Sequence, residues 1–66
     1  MLKLVDLDGE LIHIEIIDGE AIAYEDFNGE ISFESVWVLE SQELSDILVF
    51  NDLDADEILE IMLQLD

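Results

Sequence analysis

The chain has no cysteine and no arginine, and its positive charge is limited to Lys3, with His13 the only histidine. Without cysteine, neither a disulfide nor a thiolate metal site can brace the fold. No apolar run approaches the roughly 20 residues of a membrane span. The opening MLKLVDLDGE also lacks the basic region and long apolar stretch of a signal peptide. A soluble, cytoplasmic protein is therefore the expectation. Glycine is scarce too, with three in 66 residues. That length favours a single domain over residues 1–66, of the small size that is usually marginal in stability.

Two things are abundant. Apolar residues make up 52% of the chain, enough for one compact core and too many for a disordered segment. Carboxylates number 19, which gives a net charge of −18. A small domain is comfortable at a magnitude of about 2–8. At −18, self-repulsion opposes the compact state and makes stability dependent on salt. Lys3 is the only cationic partner in the chain, so the charge has to find its use outside it.

The three glycines sit ten residues apart, in Asp8-Gly9-Glu10, Asp18-Gly19-Glu20 and Asn28-Gly29-Glu30. Asp-Gly and Asn-Gly between alternating apolar runs are the strongest short hairpin signals, because glycine supplies positive φ and Asn or Asp tolerates it. Three such turns predict four antiparallel strands near 2–7, 11–17, 20–26 and 30–38. The alternation predicts an inner face of Leu4, Ile12, Ile14, Ile16, Ile22, Tyr24, Ile31, Phe33 and Trp37. That phase asks for odd-length first and second turns, each with a bulge, and a two-residue Asn28-Gly29 loop placing Tyr24 opposite Phe33.

Ser41 can cap a helix over 41–50, with Leu44, Ile47 and Leu48 on one side and Asn51 as its stop. Beyond it two patterns compete. Asp54 and Glu57 form a capping box for a second helix. Leu59, Ile61, Leu63 and Leu65 alternate like a strand, which favours a fifth strand over 57–65. The expected fold is α+β: an antiparallel meander of four to five strands with one short helix packed on it (β-β-β-β-α-β), the alternative being a helical last segment.

With that inner face, Glu15, Glu25 and Glu34 point outward from three neighbouring strands, and the hairpin ends and C-terminal third add the rest. Strands about 4.8 Å apart, with about 6.7 Å between alternate residues, space carboxylates on a scale comparable to the phosphates of a nucleic acid. The candidate partner-binding carboxylates are Asp8, Glu10, Glu15, Asp18, Glu20, Glu25, Asp26, Glu30, Glu34, Asp46, Asp52, Asp54, Asp56 and Glu57. Val5, Leu7, Ile17, Val36 and Val38 fall on the same outer face, and such apolar surface predicts a homodimer.

Other chemistry finds less support. The stretch NDLDADE alternates acids like a calcium loop, but the positions that need Gly and a bidentate Glu hold Glu57 and Leu63, so no metal site is expected. His13 reads as a half-exposed strand residue, and Ser32, Ser35, Ser41 and Ser45 lie in no nucleophile motif. No catalytic residue and no cofactor are assigned. A calcium-binding acidic domain and a halophilic one stay open as alternatives to a binding protein.

Leu44-Ser45-Asp46, Val49, Ala55-Asp56-Glu57-Ile58 and Leu63 resemble the C-terminal half of the small uracil-DNA glycosylase inhibitors of Bacillus phages, over about 20 residues. More broadly the chain is similar to the acidic DNA-mimic proteins with which phages block host DNA-binding proteins. The resemblance implies strand–turn–strand–helix–strand and an apolar wedge after the Leu-Ser-Asp. Ile47 stands in that place here, with Phe50 the possible substitute. It implies as partner first an HU-type nucleoid-associated protein, which suits charge along the whole chain, with a uracil-DNA glycosylase as the alternative, and no direct nucleic-acid or membrane binding.

Overall fold

The computed structural model describes all 66 residues. Strands β1 (Leu2–Val5), β2 (Leu11–Ile17), β3 (Glu20–Phe27) and β4 (Glu30–Leu39) form one antiparallel sheet in that order, followed by helices α1 (Ser41–Phe50) and α2 (Ala55–Met62). The fold is thus an α+β meander with its helices on one face, and its last segment is helical, not a fifth strand.

The turns set the register. In the first, Asp6 Oδ1 accepts the N–H groups of Asp8 and Glu10 at 3.0 and 2.9 Å, and Gly9 N–H donates to the Asp6 carbonyl at 3.0 Å. This ends β1 at Val5 and makes an odd loop, with Gly9 at φ +85° in the bulge position. The second turn differs from expectation. Ile17 pairs with Glu20 across the two residues Asp18 and Gly19, at φ +52° and +81°. Asn28-Gly29 repeats that geometry. Both are type I′ turns, whose handedness suits strand twist.

An even second loop reverses the parity of β3. Ile12, Ile14 and Ile16 stand beside Glu25, Ala23 and Ala21, not beside Tyr24 and Ile22. Ala21 and Ala23 are fully buried with Leu4, Ile12, Ile14, Leu39, Leu44, Ile47 and Leu48 in a nine-residue core. The volume of that core comes from β1, β2, α1 and the end of β4, with β3 contributing only small side chains. A register shift between Tyr24 and Glu25 then leaves Phe33, Glu34 and Ser35 without partners across β3 and realigns β4, so that Tyr24 pairs with Val36 and Ala23 with Trp37. Tyr24 and Phe33 still meet, edge to face at 5.6 Å. Ile22, Tyr24, Ile31 and Phe33, expected inside, therefore lie on the outer face with His13 and Asp26.

Helix α1 has the expected bounds, but its N-cap is Glu40, and neither Glu40 nor Asp54 makes a side-chain cap hydrogen bond. The capping box at Asp54 and Glu57 is not formed. Helix α2 wins over the strand pattern because Ile58, Ile61, Met62 and Leu65 recur at i, i+3, i+4, i+7, and these four pack against the core. Asp56 and Glu57 in its first turn also favour the helix dipole.

Asn51 fastens the layers. Its Oδ1 accepts Val5 N–H at 2.9 Å, and its Nδ2 donates to the carbonyls of Val5 and Ile47, each at 2.7 Å. Both Val5 backbone groups thus point away from β2, and the side-chain amide completes the edge of β1 as a neighbouring strand would. Unpaired, these half-buried groups would cost about 1–3 kcal/mol. Asn51→Ala is expected to lower the urea midpoint by a corresponding margin, with little change in m.

Candidate partner-binding surface

The outer face of the sheet is uncovered, yet it contains a tightly satisfied polar group. His13 on β2 is 8% exposed, deeper than the half-exposed position expected of it. Its Nε2 lies 2.7 Å from Asp26 Oδ1 across the diagonal to β3. An ionised carboxylate only accepts, so Nε2–H is the donor. Gly29 N–H donates to Asp26 Oδ2 at 3.1 Å, and Lys3 Nζ stands 3.9 Å from Oδ1. Beside them Tyr24 donates its hydroxyl to Glu15 at 3.1 Å. No buried side-chain polar atom in the molecule lacks a partner.

These contacts tune two groups. The hydrogen bond from His13 holds the Asp26 carboxyl below its usual range against the opposing effect of desolvation, helped by Gly29 N–H and the nearby Lys3. Burial pushes the Tyr24 hydroxyl up, and the hydrogen bond and negative charge of Glu15 push it the same way. The only lysine and the only histidine are thereby committed to Asp26. No basic side chain is left to answer the other carboxylates.

Twelve of the fourteen candidate carboxylates are exposed: Asp8, Glu10, Asp18, Glu20, Glu25, Glu30, Glu34, Asp46, Asp52, Asp54, Asp56 and Glu57. Asp26 and Glu15 are half-buried and bound internally, so they are not free charges. The expected row of Glu15, Glu25 and Glu34 does not form. Glu25 pairs with Ile12, which places it on the helix side, and Glu34 lies in the unpaired stretch of β4. Ile47 cannot be a wedge, because it is 2% exposed within the core; Phe50, one turn on, is 54% exposed.

Topology gathers the free charges elsewhere. A meander puts its first and third turns at one end, with Asp8, Glu10 and Glu30, and its second at the other, with Asp18 and Glu20. Asp66 joins the second end, its N–H donating to the Gly19 carbonyl at 3.1 Å. Helix α1 presents Glu43 and Asp46, and the segment into α2 presents Asp52, Asp54, Asp56 and Glu57. No group of three carboxylates or histidines comes close enough together to hold a metal ion.

Sequence reasoning missed how these charges divide between the faces. The signal was available in Asp18-Gly19, whose chemistry matches Asn28-Gly29 and calls for the same two-residue loop.

The depressed carboxyl of Asp26 favours the folded state above the unfolded Asp value of about 3.9, and that contribution disappears as pH falls through the lower folded value. Asp26→Asn is accordingly expected to unfold at lower urea than the wild type at neutral pH. The two midpoints should converge in acid, below the ordinary Asp range. A gap that persists there would mean that Asp26 acts through packing and not through charge. No known family, curated relative or solved structure matches the chain.

Proposed function

We propose that the protein is an acidic decoy that occupies the DNA-binding surface of a basic protein and so prevents that protein from holding DNA. One observation carries the reading. The molecule is 30 Å along its longest axis and has a net charge of −18, or one charge per about 1.7 Å. Duplex B-DNA carries one per about 1.7 Å of its axis. The two match in linear charge density, and the free carboxylates sit on a rigid framework of turns and helices.

The mechanism is electrostatic. A field of one sign steers a basic surface in from a distance and raises the rate of encounter. On contact, carboxylates take the places of phosphates, and the ions held near both surfaces are released. The reading assigns no catalytic step, no cofactor and no direct contact with nucleic acid. It places the protein in the bacterial cytoplasm, as a phage product acting on its host.

An HU-type nucleoid-associated protein, with an extended basic surface, suits charge spread over both ends and the helical layer. A uracil-DNA glycosylase is the second candidate. The core position of Ile47 weakens it, and exposed Phe50 is what remains of a wedge.

The test is competition for a fluorescent duplex bound to a purified HU-type protein. The chain is expected to displace the duplex stoichiometrically, and its affinity should fall tenfold or more between about 0.05 and 0.2 M salt. Asp54→Asn with Asp56→Asn and Glu57→Gln should weaken it by about tenfold, or about 1.4 kcal/mol, while keeping a good N-cap residue. Failure to displace DNA from either an HU-type protein or a uracil-DNA glycosylase at low salt would refute the decoy reading.

A further inference from the structure

The bare side of the sheet contrasts with the acidic remainder. Ile22 pairs with Val38 and Tyr24 with Val36, Phe33 packs on Tyr24, and Ile17 lies diagonal to Ile22. Phe33, Val38, Val36 and Ile17 are 74, 58, 49 and 44% exposed. Two carboxylates share this face: Glu15, which accepts the Tyr24 hydroxyl, and Glu20, exposed at the rim opposite Ile17. The charges that would greet a basic protein are at the strand ends and on the helices.

From this segregation we infer that a second copy of the chain packs on the open sheet face, strip against strip. A basic partner matches the carboxylates at the turns and on the helices and gains little from a largely apolar strip whose central carboxylate, Glu15, accepts the Tyr24 hydroxyl. A copy of the same chain matches it in kind, and a two-fold axis lets each strip meet its equivalent. Sheets packed face to face lie about 10 Å apart. The acidic helix layers then face outward on opposite sides of the pair, where the repulsion between copies is least.

The strength follows from the size. Four strands about 4.8 Å apart and seven residues long make a face of roughly 19 by 23 Å, about 440 Å² in projection. Two such faces give about 900 Å², below the 1,200–2,000 Å² of a standard specific interface. Dimerisation is therefore weak. It also strengthens with salt, because screening reduces repulsion between two chains of −18 each while apolar contact is retained. Binding to a basic target has the opposite salt dependence, so the two associations separate experimentally.

Analytical ultracentrifugation of the isolated protein tests this, from micromolar to hundreds of micromolar, in about 0.1 M and about 1 M salt. The average mass should rise from 7.5 kDa towards about 15 kDa, at lower protein concentration in the higher salt. Val36→Thr with Val38→Thr keeps β-branched residues in β4 and should weaken the dimer at least tenfold, with an unchanged circular dichroism spectrum. Val49→Asp, equally exposed on α1, should dimerise as the wild type does. A wild type monomeric throughout would overturn the inference, as would a dimer that the Thr pair leaves intact or that Val49→Asp abolishes. Loss of target binding in the Thr pair, with a monomeric wild type, would assign the strip to the target instead. No target is present in the centrifuge, so failure here leaves the decoy reading untouched, and failure to displace DNA leaves the dimer untouched.

Discussion

Repulsion among carboxylates that nothing in the chain can neutralise is the constraint under which every other feature is arranged. In water, two like charges about 10 Å apart repel by about 0.4 kcal/mol, and the cost rises quickly as they approach. The fold responds by spacing. Most acidic residues occupy turns at both ends of the sheet and the solvent side of two short helices, while Glu15 and Asp26 on the sheet are each held by a hydrogen bond. Cohesion comes from nine buried aliphatic residues, each large one contributing about 1.5–3 kcal/mol. Of the two carboxylates drawn into the sheet, Glu15 is held by the Tyr24 hydroxyl and Asp26 by His13, Gly29 N–H and Lys3.

Local chemistry was readable wherever it determines structure alone. The glycine-containing turns announced the four strands, and Leu44, Ile47 and Leu48 with Asn51 announced α1 at its observed bounds. Parity was harder. A choice between a two- and a three-residue loop at Asp18-Gly19 exchanges the two faces of β3, and ranking residues by hydrophobicity chose Ile22 and Tyr24 for the core. The fold instead buries Ala21 and Ala23 in one cluster with Leu44, Ile47 and Leu48 of α1. At the C-terminus, residues 58–65 satisfy both periods, and only the position of the core, known once α1 has docked, selects the helix.

The acidic surface was legible as a quantity and not as an arrangement. Composition alone implied an external use for the charge. Which carboxylates are free depends on diagonal contacts across strands, such as His13 with Asp26 and Tyr24 with Glu15, that no spacing in sequence reveals. The bulge that displaces Glu34 likewise arises from pairing between strands. What the structure adds is partial separation: most free carboxylates lie at the turns and on the helices, and Val36, Val38 and Phe33 lie on the open sheet face.

The Asn51 amide also bears on how quickly the native state is lost. Every strand pairs with its neighbour in sequence, a topology of low contact order that lets the sheet assemble rapidly. The bond between Asn51 and Val5 spans 46 residues and exists only where α1 is docked beside β1. An interaction that requires the docked helix contributes little to the folding barrier and much to the barrier against unfolding. The clip therefore acts as a latch on lifetime: without it the chain would still fold promptly but would open more often, and each opening would expose an edge of β1 that is otherwise closed.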